Sequence, residues 1–325
     1  MNAPARMLLK AAYSIPRPFS QLLAGREPGV LLYHGVPERS LLEGKYAFDS
    51  TAFERQIDCL KKHFDLIHPD DVFLRRSLWR RKAVVVTFDD GLRNNATVAA
   101  PILQRHGVPA IFFVCNRHIT TNDVLWFSYL KALELHFSRR SFMFRGTEWD
   151  MSPAMRKQTI EKLREYLLEL KPHPEAMYSA IADELPPIES FVSQRDLEEW
   201  YLGMTEEQMA QLDANALFSV ESHTVDHPFL TLCEPEEAAR QIRDNKQFIE
   251  RACNKTVTVF SYPIGDYDQA IIDVCKELGF SSGHAVDPRV GRNPEFEVPR
   301  AGVYRPQREV AAFKAMWSRV RANRG

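Results

Sequence analysis

Short, uninterrupted apolar runs alternate with amphipathic stretches along this chain, and the alternation predicts its architecture. Val30-Leu-Leu-Tyr33, residues 83–88, Ala110-Ile-Phe-Phe-Val114 and residues 257–262 are apolar at nearly every position. A strand with one wet face alternates polar and apolar side chains, so continuous runs predict parallel strands covered on both faces. Between them, residues 53–64 place Phe53, Ile57 and Leu60 at helical spacing, and residues 97–106 close on Gly107. Pro101 must kink that second helix or lie in its first turn. Residues 236–252 and 269–278 repeat the theme, the latter closing on Gly279. Strand and helix in turn predict an α/β class, as a closed or nearly closed barrel.

One stretch breaks the rhythm. From about 122 to 211 the chain reads almost wholly helical, with Ser152-Pro153 and Thr205-x-x-Gln208 as helix starts and Pro172, Pro174, Pro186 and Pro187 as punctuation. The barrel pattern resumes afterwards, so the stretch is expected to be a helical insertion beside the mouth, with a separate domain as the alternative. Residues 28–325 are then one barrel domain carrying that insertion.

Composition narrows the class without naming a chemistry. The chain has 325 residues, 45% hydrophobic and 26% charged, with a net charge of −1, which excludes a general affinity for nucleic acid. The ends are basic. Residues 1–27 hold Arg6, Lys10, Arg17 and Arg26 before the first acid, and residues 305–325 hold six Lys or Arg against Glu309. Solvated or surface-packed helical ends, including a C-terminal helix at about 305–325, are the plain reading, and peripheral contact with an anionic membrane is the sharper one. The 5 cysteines are scattered and form no Cys-x-x-Cys pair, which suits a reducing compartment. The apolar stretch at Met7-Leu-Leu is broken by Lys10, Ser14, Pro16 and Arg17, so no secretory leader or span is expected and the cytoplasm is the expected location. Nothing in the sequence sets the oligomeric state.

Candidate chemistry gathers at run ends. Val84-Val-Val-Thr-Phe-Asp-Asp-Gly91 leaves an apolar strand with two carboxylates, Asp89 and Asp90, at the edge where barrel enzymes place reactive groups. Neighbouring side chains diverge, so one can hold a metal while the other faces water, and Gly91 permits the turn. In Ser222-His-Thr-Val-Asp-His-Pro228, His223 and His227 are four apart, a spacing that puts both on one face of a helical turn. Two His and one carboxylate leave an open position on a zinc-like ion, which outlines a hydrolytic site. Glu221 or Asp226 is available to hold an imidazole's second nitrogen. His34, in Leu-Leu-Tyr-His-Gly, leaves another strand at the same face and suits a proton donor, with His284 as its competitor. In Phe260-Ser-Tyr-Pro-Ile-Gly265 the Ile264 N–H is a candidate oxyanion donor, with Tyr262 and Pro263 beside substrate. Arg300 either pairs with Asp89 and steers it or makes a surface salt bridge, and Trp126, with Phe127 and Tyr129, either stacks on a sugar or packs in a helix core.

Together these residues resemble the polysaccharide deacetylase family, also called carbohydrate esterase family 4, over roughly 34–300 apart from the insertion. Thr87-Phe-Asp-Asp-Gly91 matches the family's first motif and Ser222-His-Thr-Val-Asp-His-Pro228 its second. The match implies Asp89 as catalytic base, Asp90, His223 and His227 as metal ligands, and a distorted (β/α)7-type barrel as the fold. Two departures stand out. Ser261 occupies the place of the family's orienting Arg, which leaves Arg300 as its replacement. The family's late acidic His is absent as well. His34 resembles the early His of the permuted poly-N-acetylglucosamine deacetylases. The implied activity is metal-dependent N-deacetylation of an amino sugar, with a lipid- or nucleotide-linked precursor among the substrates it allows. Zn2+ is favoured, and Co2+, Ni2+ or Fe2+ are compatible. A deformylase, an O-deacetylase acting on a lipid-linked sugar, or an inactive glycan-binding homologue are the alternatives.

Overall fold

Side-chain alternation along the strands decides what faces the barrel interior. The computed structural model describes residues 29–40, 49–68, 83–170, 172–286 and 293–304, so the basic segments expected at 1–27 and 305–325 lie outside the described residues. In β1 (Gly29–Tyr33), Leu31 and Tyr33 join an outer core with Phe53, Ile57 and Leu60 of helix α1 (Ser50–His63). Val30 belongs instead to a small inner cluster with Ala83, Val85, Ile111 and Phe113. Asp49 caps α1 by accepting the Ala52 N–H at 2.7 Å.

The next elements follow the expected rhythm: β2 (Asp65–Leu66), β3 (Ala83–Phe88), a π-helical turn (Asn95–Ala99) running into α2 (Ala100–His106), and β4 (Ala110–Val114). Pro101 falls in the first turn of α2, and Gly107 ends it with φ 61°. The insertion then runs through α3 (Arg117–Thr120), α4 (Trp126–His136), the hairpin β5 (Ser141–Phe144) and β6 (Thr147–Asp150), α5 (Arg156–Glu169), α6 (Pro174–Glu184) and α7 (Gln194–Trp200), after which α8 (Glu206–Asp213) packs back on the barrel core through Met209 and Leu212. The hairpin corrects the all-helical expectation. Its turn at Arg145 (φ 51°) and Gly146 (φ 73°) lacks the usual Asn-Gly signal, so nothing short-range announced it. Helix α5 starts later than Ser152-Pro153, whereas Thr205 and Gln208 form the expected capping box. The insertion has its own apolar core, built around Trp126, Leu133, Leu163, Met177 and Leu197.

The barrel resumes with β7 (Phe218–Ser222), α9 (Pro235–Cys253), β8 (Val259–Ser261), α10 (Gln269–Glu277), β9 (Ser282–Ala285), β10 (Val298–Pro299) and β11 (Ala301–Gly302). Neighbouring strands run in the order β10-β9-β8-β7-β4-β3-β1-β11, every pair parallel, and β2 pairs with β3. Strand β10 pairs with β9 while β11 pairs with β1, so residues 298–302 close the ring as one bent strand. Counted that way, the eight strands in the order become the seven of a distorted (β/α)7 barrel. Among the described residues no helix is long and apolar enough to cross a membrane.

Candidate active site

Parallel strands bring their C-terminal ends to one face, and the inward face of β3 delivers a carboxylate there. Thr87 and then Asp89 continue the inward parity of Ala83 and Val85. Asp90 takes a left-handed backbone (φ 77°) that turns its carboxylate away from that of Asp89. A non-glycine residue in this region carries strain, and here neighbours hold it. The Asp90 carbonyl accepts the Cys115 N–H at 3.1 Å and bonds His118 Nε2 at 2.8 Å. Gly91 (φ 81°) must be glycine on two counts, because a Cβ would also lie 2.9 Å from Val114.

The two imidazoles meet by a different route from the one expected. Residues 223–228 form an irregular loop after β7, not a helical turn, with Thr224 at φ 72° and His227 at φ 53°. The His223 N–H donates to Asn245 Oδ1 at 3.0 Å. Its Nδ1 lies 2.8 Å from the Ser261 carbonyl, which fixes Nδ1 as the donor and leaves the Nε2 lone pair free. Neither Glu221 nor Asp226 is that outer partner. Glu221 bonds Lys255 and the N–H groups of Thr258 and Val259, and Asp226 bonds Gln241 and Arg117.

His223 Nε2 lies 3.7 Å and His227 Nε2 3.5 Å from Asp90 Oδ1. One ligand atom from each of Asp90, His223 and His227 falls within 4.8 Å of the others, and Asp90 Oδ1 is buried with no hydrogen-bond partner among the described residues. Ligands about 2.0–2.1 Å from a tetrahedral ion sit about 3.4 Å apart, so this trio fits a divalent cation. Burial pushes both imidazoles toward the neutral, ligating form. Burial also raises the carboxyl of Asp90, against the opposing pull of His34 and His223.

Asp89 has another partner. Arg300, at the bend between β10 and β11, grips it with two nitrogens at 2.6 and 2.7 Å, and donates to Ser261 Oγ at 2.7 Å. Ser261 in turn lies 3.3 Å from Asp89 Oδ2. Burial by itself would raise the Asp89 carboxyl, but the Arg300 guanidinium and His223 hold it well below the usual carboxylate range. The expected Asp89–Arg300 contact is therefore present, and the small Ser261 leaves room for it.

His34 leaves β1 on the same face, one residue past Tyr33, whose carbonyl accepts the Asp89 N–H at 3.0 Å. Asn95 fixes its backbone by donating to the His34 carbonyl at 2.8 Å. The ring lies 5.7 Å from that of Tyr304, which is 59% exposed. His284 is buried inside the barrel against Phe113, and burial pushes it down to about 3, so near neutral pH it is an uncharged imidazole.

This geometry agrees with the comparison to known proteins. The polysaccharide deacetylase family profile matches residues 79–283. The chain belongs to the polysaccharide deacetylase family. Among curated relatives, YxkH of Bacillus subtilis is 29% identical over 85 residues, which span 26% of this chain and only 30% of that protein. The deacetylase PplD of Streptococcus pyogenes, solved with acetate, superimposes with a TM-score of 0.58 at 16% identity, covering 90% of this chain and 98% of that one. IcaB of Ammonifex degensii gives 0.55 at 19% identity, covering 91% and 98%. A de-N-acetylase of Aggregatibacter actinomycetemcomitans gives 0.53 at 17%, covering 89% and 98%. At these identities the likeness establishes the fold.

Three expected substrate contacts of this family member need correction. Trp126 is buried and donates Nε1–H to the His227 carbonyl at 3.1 Å, so it supports the 223–228 loop and has no face left for a sugar. Tyr262 is buried against Tyr267 with its hydroxyl donating to the Phe296 carbonyl, and the Pro263 ring is buried beside it. Ile264 stands in the turn with φ 58°, its side chain against the core of the insertion. Sequence reasoning missed His118, Asn94 and Asn95, and it named Ser261 without a role of its own. Ser261 was visible as the empty place of an Arg, whereas His118 sits in no motif and only the fold brings it under Asp90.

Proposed function

We propose that this polysaccharide deacetylase homologue hydrolyses the N-acetyl group of an amino sugar and releases acetate. The observation carrying the reading is that adjacent carboxylates have opposite surroundings. Asp90 faces two neutral imidazoles, and Asp89 is pinned by a buried guanidinium. Asp90, His223 and His227 would hold a divalent ion, with zinc the simplest match to the donor set. Such an ion supplies acidification of a water and polarisation of the acetamide carbonyl.

The remaining work falls to the chain. Asp89, kept charged by Arg300, accepts the proton of the attacking water. Its low basicity is tolerable because the water is the group made acidic. The Ile264 N–H is offered to the developing oxyanion. His34 protonates the departing nitrogen, and the products are acetate and a free amine. Five free cysteines suit a reducing compartment, so a lipid- or nucleotide-linked precursor met in the cytoplasm, at or near the inner membrane face, is the proposed substrate class.

The test measures acetate and formate release from N-acetyl, N-formyl and O-acetyl amino sugars, before and after chelation and with zinc restored. Asp89→Asn should bind zinc as the parent does and lose turnover by about 1000-fold or more, in line with removal of a general base. Full turnover in that variant, or in chelated protein, refutes the reading. Formate release in place of acetate shifts the acyl group and leaves the site assignment standing.

A further inference from the structure

The insertion touches the loops that follow β7, β3 and β1, and its bonds to them add to those the barrel supplies. After β7, Thr224 and His227 both adopt left-handed backbone. From the insertion, Trp126 Nε1 donates to the His227 carbonyl at 3.1 Å and the Tyr178 hydroxyl donates to the Asp226 carbonyl at 3.0 Å. Arg117 lies 3.9 Å over the Tyr178 ring and pairs with Asp226 at 3.2 Å. The Phe127 ring stands 4.7 Å from that of His227.

After β3, the tail of the insertion runs antiparallel to the turn behind Asp90. The Arg93 N–H donates to the Leu202 carbonyl at 2.9 Å, the Met204 N–H to Gly91 at 3.1 Å, and Leu92 bridges Gly203. After β1, Glu199 of α7 accepts the Arg39 N–H at 2.8 Å and two guanidinium bonds at 3.1 and 3.0 Å, with Asp196 adding a third at 3.1 Å. The Glu199 carbonyl also accepts from Asn94, whose Oδ1 takes the Val36 N–H at 2.9 Å.

We propose that the insertion is a brace for the catalytic loops, with Trp126 and Tyr178 positioning His227, and Glu199 acting through Arg39 to position His34. The proposal rests on the deacetylase reading for its purpose, but its first arm needs only metal binding. Outer partners that orient a metal ligand typically change affinity by about 10–100-fold when removed. A displaced proton donor slows only substrates whose leaving group needs a proton.

The experiment compares full-length wild type with Tyr178→Phe, Trp126→Phe, Arg39→Gln and, as a control on a distant surface pair of the insertion, Arg145→Gln. Zinc affinity is measured by chelator competition, and acetate release is followed from an N-acetyl amino sugar and from an aryl acetate ester. Tyr178→Phe and Trp126→Phe should lose zinc affinity by about 10-fold or more. Arg39→Gln should keep zinc affinity, slow the amide about 10-fold through kcat, and leave the activated ester nearly unchanged. Arg145→Gln should shift neither.

Unchanged zinc affinity in Tyr178→Phe overturns the brace, as does equal slowing of amide and ester in Arg39→Gln. If Trp126→Phe fails to fold, Tyr178→Phe decides alone, because it removes a single hydroxyl. A wild type that binds zinc but hydrolyses nothing, with Tyr178→Phe weakened, sinks the deacetylase reading and leaves the brace standing. The reverse pattern sinks only the brace.

Discussion

Arg300 gives the sharpest handle on the physics of the site. Replacing it by Met keeps much of the volume and removes the charge, leaving Asp89 at 4% exposure with almost no water to take over. The substitution removes the hydrogen bonds of 2.6 and 2.7 Å to Asp89 and the 2.7 Å bond to Ser261. With charge centres about 4 Å apart and an effective dielectric constant near 20, the attraction between the pair is about 4 kcal/mol. That matches the 3–5 kcal/mol typical of a buried pair broken from one side. At about 2 °C per kcal/mol for a chain of this size, metal-free Arg300→Met should melt about 6–10 °C below wild type at neutral pH.

The pH dependence has a definite sign. In wild type the Asp89 carboxyl is held below its usual range, so its contribution is present above about pH 4 and is lost as pH falls through the folded value. In the variant burial is opposed only by His223 and His34, without the guanidinium, and the carboxyl rises. The deficit should therefore be widest at neutral pH and shrink toward pH 4, where the variant carries a neutral acid. Turnover of the variant should rise with pH as Asp89 ionises. Adding Asp89→Asn to Arg300→Met removes the stranded charge and should recover part of the melting temperature. Calorimetry across pH checks each point. A melting temperature within about 2 °C of wild type, with a difference flat in pH, would refute the argument.

Three further outcomes are expected. Ser261→Arg, at a fully buried position 2.7 Å from Arg300, should lose about 3 kcal/mol or more, and Arg300→Ser in the same chain should restore part of it; no restoration contradicts the shared-space argument. Gly203→Ala places a methyl 2.7 Å from the His118 ring and should cost about 1–3 kcal/mol in melting experiments and weaken zinc binding; unchanged zinc affinity would separate His118 from the Asp90 turn. Tyr304→Ala, removing an exposed ring beside His34, should raise KM about 10-fold with kcat little changed, while Tyr304→Phe should not; a loss confined to kcat argues against sugar contact there.

Most of the barrel was legible because its strands are apolar on both faces, and the strands that escaped show what that pattern depends on. Strand β7 carries the loop of His223 and His227, yet Phe218-Ser-Val-Glu-Ser222 reads as a mixed segment. Its register sets Glu221 beside inward-facing Phe113, and the carboxylate is satisfied there by Lys255 and two backbone N–H groups. Polar inward residues with buried partners look like surface residues when the partners lie far along the chain. Strand β9 was hidden likewise by Ser282-Gly-His284. For the site, residue types were legible and local geometry was not. Histidines spaced four apart suggested a helix, whereas the loop reaches the same convergence through left-handed residues at 224 and 227, which bonds from α9 and the insertion sustain.

The two groups that depart from the family's usual order lie at opposite ends of the sequence and at one place in the fold. His34 leaves β1, and Arg300 sits in the strand that closes the ring, with Leu31 opposite Ala301 and Leu32 opposite Gly302. A closed barrel has neighbours on both sides of every strand, so its first and last strands are as adjacent as any other pair. A proton donor or an orienting guanidinium can therefore be carried by a different strand while its reach to Asp89 across the interior stays the same. What must be conserved physically is the strand end and the inward parity. Ser261 shows the complementary condition, because the position that gives up the long cation has to become small for the substitute arriving from the seam to fit.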